Sequence, residues 1–169
     1  MQRLIRVFED FVYRFDRGVD VPLEAAHALV RGLETPGLVE LAGMHRNQTL
    51  DIEDLIPQVI DELGIAIAAR STVVERRASE IASGYLAGDI AFIDGLSGVL
   101  SWQTQYFEEG YGYRCCDSML WLEPWLISVD DDGDTTYWFG SQAAAKEAFR
   151  EHCSAMVEGR KCPKPEKSR

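Results

Sequence analysis

The chain has 169 residues, of which 46% are hydrophobic and 27% charged, and its formal net charge at pH 7 is −11. This length and composition predict a globular protein with a single core. The acidic balance argues against direct binding of nucleic acid and against adhesion to an anionic membrane, because both interactions need a basic surface. No apolar run in the sequence reaches the roughly 18 residues that a membrane-spanning helix requires.

Four helices are predicted in the first 64 residues from the spacing of apolar side chains. Gly18 is expected to end the first of them, and Gly64 to end the fourth. Asp20 followed by Pro22 is typical of a helix start, with Asp as the cap and proline in the first turn. Pro57 fits either the first turn of the fourth helix or a kink in it. The predicted ranges are 2–17, 21–33, 35–43 and 52–63.

The helical pattern continues to about residue 105. Thr72 and Glu75 form a capping-box pattern, which predicts a fifth helix from residue 72 to residue 87. A sixth helix, over 89–105, is weakened by Gly95 and Gly98. Short connections between the helices favour a compact bundle.

Aromatic residues are concentrated in the next stretch. Ten of the seventeen, including all four tryptophans, lie between Trp102 and Phe139. Residues 125–129 and 135–139 flank a turn rich in Asp and Gly, and this arrangement predicts a β-hairpin. A last helix is predicted over 142–157.

Together these elements predict a mostly α (α+β) fold, a compact helical bundle with one β-hairpin near the C-terminal end. Residues 1–158 are expected to form a single globular domain. Residues 159–169 are basic and contain two prolines, and we expect them to form a disordered tail.

The segment from Glu108 to Asp134 combines the aromatic residues with concentrated negative charge. It holds eight acids against one base, Arg114, and so carries −7 in 27 residues. Such a field attracts cationic partners, and Trp and Tyr are enriched where interfaces bind most tightly. The alternative is that the aromatic side chains form core while the acids keep the surface solvated. The partner-binding residues predicted here are Glu108, Glu109, Tyr111, Tyr113, Trp121, Trp125, Asp130, Asp131, Asp132 and Asp134.

Two acidic patterns are better explained by solvated surface. The run Asp130–Asp134 suggests a calcium loop from Ser128 to Phe139, but such a loop needs acidic residues at its first and last positions. A hairpin turn accounts for the run instead. Paired acids such as Asp61 and Glu62 lie where a helix is expected to be simply solvated.

Two histidines stand in patterns that could carry chemistry. Glu24 and His27 form one E-x-x-H motif, whereas a di-iron bundle needs that motif twice. We therefore expect a partly exposed helix surface there. His45 lies beside Arg46 in a predicted loop, where it could act in acid–base chemistry or contact a phosphate, but no nucleophile or carboxylate partner is identifiable.

The four cysteines are expected to lie in a reducing compartment. Acids at positions 9 and 10 interrupt any apolar signal region, so we expect a cytoplasmic protein with free thiols. The spacing C-x-x-C does not occur, and no metal or cofactor is predicted. A zinc site that combines Cys115 or Cys116 with His152, Cys153 and Cys162 has no support from the spacing.

Two blocks of sequence resemble small bacterial proteins of polymorphic-toxin and immunity loci. The first is Val21–Gly64, in which a helix end with the letters LAG precedes an acidic helix that closes in ELG. The second is Leu86–Asp89 followed by residues 92–96, and together the blocks cover about a third of the chain. This resemblance implies an immunity function without a catalytic residue.

The leading hypothesis is therefore a non-enzymatic binding protein of the immunity or antitoxin kind. It would neutralise a basic protein partner, such as a toxin or a nuclease, or mimic nucleic acid toward a nucleic-acid-processing enzyme. Two alternatives stay open: a small enzyme or metal-binding protein that uses His27, His45 or the cysteines, and a structural subunit of a larger assembly.

Overall fold

The computed structural model describes residues 1–16, 18–107 and 142–160. These residues form seven α-helices and no strand, which confirms the prediction of a mostly helical fold. The hairpin predicted over 125–139, and the tail from residue 161 onward, lie outside the described residues. The helices are α1 (Gln2–Val12), α2 (Val21–Val30), α3 (Pro36–Gly43), α4 (Thr49–Leu63), α5 (Arg70–Ala87), α6 (Phe92–Phe107) and α7 (Gln142–Val157).

The chain divides into two compact units, Met1–Arg70 and Ser71–Arg169. Helices α1 to α4 belong to the first unit, and α6 and α7 belong to the second. Helix α5 begins at the boundary. The single domain expected over 1–158 stays a prediction.

Several helix ends follow the sequence signals. The Asp20 side chain accepts a hydrogen bond from the backbone N–H of Leu23 at 3.0 Å, which caps α2. Thr35 caps α3 in the same way, since its hydroxyl oxygen accepts from the N–H of Leu38 at 3.3 Å. Gly64 has a φ of +60° and ends α4, as the sequence predicts.

Helices α1, α2 and α4 differ from their predicted ranges, and α2 ends at Val30 instead of residue 33. Helix α1 ends at Val12 instead of residue 17, because the chain turns at Arg14, whose φ is +57°. Helix α4 begins at Thr49, three residues earlier than predicted, so Pro57 lies in the helix interior and not in its first turn. Proline has no backbone N–H, so one carbonyl group in the preceding turn of the helix lacks its hydrogen bond. Pro57 is exposed, and water can reach that carbonyl group.

The capping box predicted at Thr72 is wrong, because α5 already begins at Arg70 and Thr72 lies inside it. Helix α6 begins at Phe92 rather than at residue 89. The reason is the close of α5, where the N–H of Asp89 donates to the carbonyl of Gly84 at 2.9 Å. The first residues after α5 therefore complete that helix end instead of opening the next helix.

The core of the first unit lies between α1, α2, α3 and α4. Helix α3 packs against both α2 and α4, and α1 packs against α2. Leu4 and Phe8, which the sequence predicts on the inner face of α1, are fully buried. Burial of a side chain of this size stabilises the fold by about 1.5–3 kcal/mol. The buried apolar residues are Leu4, Phe8, Val21, Ala25, Ala28, Leu38, Leu41, Ile52, Leu55, Ile56 and Val59.

The core of the second unit is centred on Phe149 of α7. Its ring centroid lies 4.6 Å from that of Tyr85 and 5.8 Å from that of Phe92. Gly95 of α6 allows this packing, because a Cβ atom there would lie 3.3 Å from both Phe149 and Tyr85. The glycine that weakens α6 as a helix therefore lets the aromatic rings approach it.

Candidate functional site

The partner-binding residues predicted from the sequence lie outside the described residues. These are Glu108, Glu109, Tyr111, Tyr113, Trp121, Trp125, Asp130, Asp131, Asp132 and Asp134. Their role stays a prediction, and the candidate site below is built from the residues that the structure describes.

Helix α4 carries a second concentration of negative charge, which we call the α4 acidic face. Its buried residues follow the helical period and face the core of the first unit. All of its charged residues are acids, and all are exposed. The α4 acidic face consists of Asp51, Glu53, Asp54, Asp61 and Glu62.

Three of these carboxylates have no compensating contact within the described part of the chain. Glu53, Asp54 and Asp61 make no side-chain hydrogen bond or ion pair there, whereas Asp51 accepts a hydrogen bond from Gln48 Nε2 at 3.2 Å. Between residues 34 and 62 the sequence holds seven acids against one base. The α4 acidic face therefore presents its negative charge to solvent.

Glu62 differs from the other members because it holds α3 against α4. One carboxylate oxygen accepts from Gln58 Nε2 at 2.7 Å, and the other accepts from the backbone N–H of Gly37 at 2.8 Å. Hydrogen bonds from Gln58, Thr35 and Gly37 lower the pKa of Glu62 below its ordinary value. A Cβ atom on Gly37 would lie 2.9 Å from this carboxylate and 3.1 Å from the side chain of Val59, so both side chains would have to shift to admit it.

One exposed apolar side chain accompanies the acidic residues. Leu50, at the start of α4, is 76% exposed. Asp54 follows Leu50 by about one helical turn, and Asp61 follows Asp54 by about two turns. The three side chains therefore lie along one side of the helix surface. An apolar side chain within a charged surface is a common arrangement at protein interfaces.

The E-x-x-H motif lies on a partly exposed helix surface, as expected, but its Glu24 is buried in an ion-pair cluster that the sequence did not predict. Glu24 is only 3% exposed, and its carboxylate lies 2.5 Å from Arg31 Nη2 and 2.9 Å from Arg3 Nε. Nδ1 of His27 lies 3.5 Å from the oxygen that Arg3 contacts. Both oxygens of Glu24 thus have cationic partners, and the cluster connects α1 with α2.

His45 contributes to a turn before α4. Its backbone N–H donates to Gln48 Oε1 at 2.7 Å, and its Nδ1 accepts from the N–H of Asn47 at 3.4 Å. The side chain is exposed. The hydrogen bond at Nδ1 is a local structural contact, and the described contacts bring no carboxylate to the ring.

His152 and Cys153 lie buried in the second unit. Burial lowers the pKa of His152 to about 4 and raises the pKa of the Cys153 thiol to about 12. Both groups are therefore neutral at pH 7, and a protonated thiol is a poor nucleophile and metal ligand. Within the described residues no three His, Cys, Asp or Glu side chains group to hold a metal ion. Cys115, Cys116 and Cys162 lie outside these residues.

Comparison with protein-family models, with curated proteins and with solved structures finds no match. Among the described helices, none combines the length and the apolar character needed to cross a membrane.

The α4 acidic face can be recognised in the sequence from the charge of the whole helix, but not from a single pair of acids. Asp61 and Glu62, taken as a pair, are ordinary for a solvated helix. The informative quantity is the charge of the whole helix, in which five acids occur without one lysine or arginine.

Proposed function

We propose that this protein is a non-enzymatic binding protein that neutralises a basic protein partner, in the manner of an immunity protein or antitoxin. The observation that carries the proposal is the α4 acidic face, with five exposed carboxylates and no base. A cationic partner such as a toxin or a nuclease would supply the missing positive charge.

Part of the charge on α4 is unfavourable for the isolated helix. Asp51 and Asp54 are three residues apart, and like charges at this spacing repel each other. Asp61 lies in the last turn, where the helix dipole disfavours an acid by about 0.3–1 kcal/mol. A basic partner would relieve both effects, because it would bring positive charge to the α4 acidic face.

The sequence supplies two further supports. The block Val21–Gly64, which resembles proteins of immunity loci, contains all of α4. The segment Glu108–Asp134 repeats the same acidic character and adds tryptophan and tyrosine, the residue types that interfaces favour.

The test is an affinity capture from a lysate of the natural host, with three versions of the protein as bait. The first is the wild type, and the second has Asp51→Asn, Glu53→Gln, Asp54→Asn and Asp61→Asn. The control has the same change of net charge at four exposed acids of the second unit: Asp89→Asn, Asp94→Asn, Glu147→Gln and Glu151→Gln. Because all eight positions are exposed, each single change is expected to alter stability by no more than about 0.5 kcal/mol.

We expect the wild type and the control to retain the same basic protein at low salt and to lose it at high salt, because salt screens exposed charge. The α4 variant should retain much less of it. Equal retention by all three baits would show that the α4 acidic face is not the binding surface. A fourth bait with Glu108, Glu109, Asp131 and Asp132 changed to lysine then tests the predicted segment separately.

A further inference from the structure

Helix α1 ends in a hydrogen-bond pattern that normally requires glycine. The N–H of Phe15 donates to the carbonyl of Asp10 at 2.9 Å, and the N–H of Arg14 donates to that of Phe11 at 3.1 Å. This pair of bonds is the Schellman motif, and it places Arg14 in the left-handed region with a φ of +57°. In the described residues the same pattern closes four other helices, and each has glycine at this position: Gly32, Gly64, Gly88 and Gly159.

Arginine at this position costs conformational free energy, because its Cβ crowds the following carbonyl in the left-handed region. The Arg14 side chain is exposed, so it does not contribute to the core. It makes no hydrogen bond or ion pair with the described residues. Strained backbone at a residue other than glycine is often found at functional sites, so the surroundings of Arg14 are informative.

The side chain of Arg14 lines a cleft of about 450 Å³ in the first unit. This volume is in the range of small-molecule sites. Arg46, on the turn before α4, lines the same cleft and also lacks a partner among the described residues. Arg14 and Arg46 therefore line one cleft, and neither makes an ion pair with the described residues.

The start of α4 contributes to the same cleft through Asn47 and Thr49. The helix has Gln48 at its N-cap position, and no side chain caps its first backbone N–H groups. A helix start leaves such N–H groups without intrahelical partners, and the helix dipole favours negative charge there. The cleft thus combines an uncapped helix start with the two arginines.

We propose that this cleft binds a small phosphate monoester, with the phosphate held by Arg14 and Arg46. Planar guanidinium groups bind phosphate oxygens through paired hydrogen bonds. Two acids also line the cleft. Asp16 already accepts a hydrogen bond from the N–H of Gly18 at 2.7 Å, and Glu53 is left to accept from a hydroxyl or ammonium group of the ligand. Phe11 and Val19 provide apolar contact for its carbon skeleton.

Arg14→Gly separates a binding role from a structural one. Glycine removes the strain, so the melting temperature without ligand should rise by roughly 2–4 °C. The same change should weaken phosphate binding at least tenfold, because it removes one guanidinium contact. A residue that served only the fold would not give a more stable protein that binds less.

The experiment follows the phosphorus NMR signal of inorganic phosphate, and then of glycerol phosphate, during titration with the full chain at constant ionic strength. Arg46→Gln is the second test variant, and Arg76→Gln, at an exposed arginine of α5, is the matched control. Support for the proposal is binding by the wild type and the control, a tenfold loss in both test variants, and tighter binding of glycerol phosphate than of inorganic phosphate. Absence of binding by the wild type, or equal loss in the control, would overturn it. Equal competition by succinate would also overturn it, since the cleft would then accept carboxylates in general.

Discussion

The stability of the second unit should depend on pH through His152. This residue is buried, with 3% of its surface exposed, and burial lowers its pKa to about 4 from the ordinary value of 6.5. Between these two values the unfolded chain binds a proton that the folded chain does not bind. Stability from this group is therefore fully present above pH 6.5 and is lost as the pH falls toward 4.

The size of the effect follows from the two pKa values. The complete loss amounts to about 3 kcal/mol, and about 2 kcal/mol of it is already lost at pH 5. Urea unfolding followed by circular dichroism, at several pH values from 7.5 to 5, measures this loss directly. Other groups titrate in the same range, so the informative quantity is the difference between the wild type and His152→Gln.

His152→Gln replaces the imidazole with an amide that has no charge at any of these pH values. The variant is expected to be less stable at pH 7.5 but to lose about 2 kcal/mol less than the wild type on acidification to pH 5. His45→Gln, at an exposed histidine, is the matched control and should follow the wild type. Parallel stability curves for the wild type and His152→Gln would refute the reasoning, because they would show that His152 titrates alike in both states.

Three further predictions concern packing, charge and reactivity. Gly37→Ala should destabilise the first unit by about 1–3 kcal/mol in urea unfolding, because its Cβ would press on Glu62, whereas Gly43→Ala in the same helix meets no atom within 4 Å and should be neutral or stabilising. Glu24→Gln should lower the free energy of unfolding by about 1–3 kcal/mol in the same measurement. This loss should persist at high salt, because the carboxylate is buried. An unchanged free energy of unfolding would show that the ion pairs of Glu24 do not stabilise the fold. Peptide mapping after iodoacetamide treatment at pH 8 should find Cys153 unmodified in the folded protein and modified in urea. The reason is that burial raises the pKa of its thiol to about 12. Rapid modification of Cys153 in the folded protein would contradict this prediction.

Local signals in the sequence predict much of the fold. The last helix is found over Gln142–Val157, as predicted, because its apolar spacing is regular. The starts of α2 and α3 are correct because Asp20 and Thr35 act through side-chain bonds within three residues. Such contacts depend only on neighbouring sequence, which is why the pattern identifies them.

Features that depend on tertiary contacts or on rare backbone geometry could not be predicted in this way. The burial of Glu24 depends on Arg3, which lies on another helix and 21 residues away in the sequence. The end of α1 was missed because arginine occupies a position where glycine is the usual signal. For the candidate site, the sequence indicates an acidic surface, but the structure is needed to show that the α4 carboxylates are exposed together.

The most direct test of the proposed binding function is the association rate constant of the captured basic partner as a function of salt. The wild type should associate at least tenfold more slowly at about 0.5 M salt than at about 0.05 M, because exposed charge steers the encounter. The variant with Asp51→Asn, Glu53→Gln, Asp54→Asn and Asp61→Asn should associate more slowly at low salt and show a flatter salt dependence, while the second-unit control retains most of the wild-type rate. Identical rates and salt dependence for all three proteins would contradict a role for the α4 acidic face in binding.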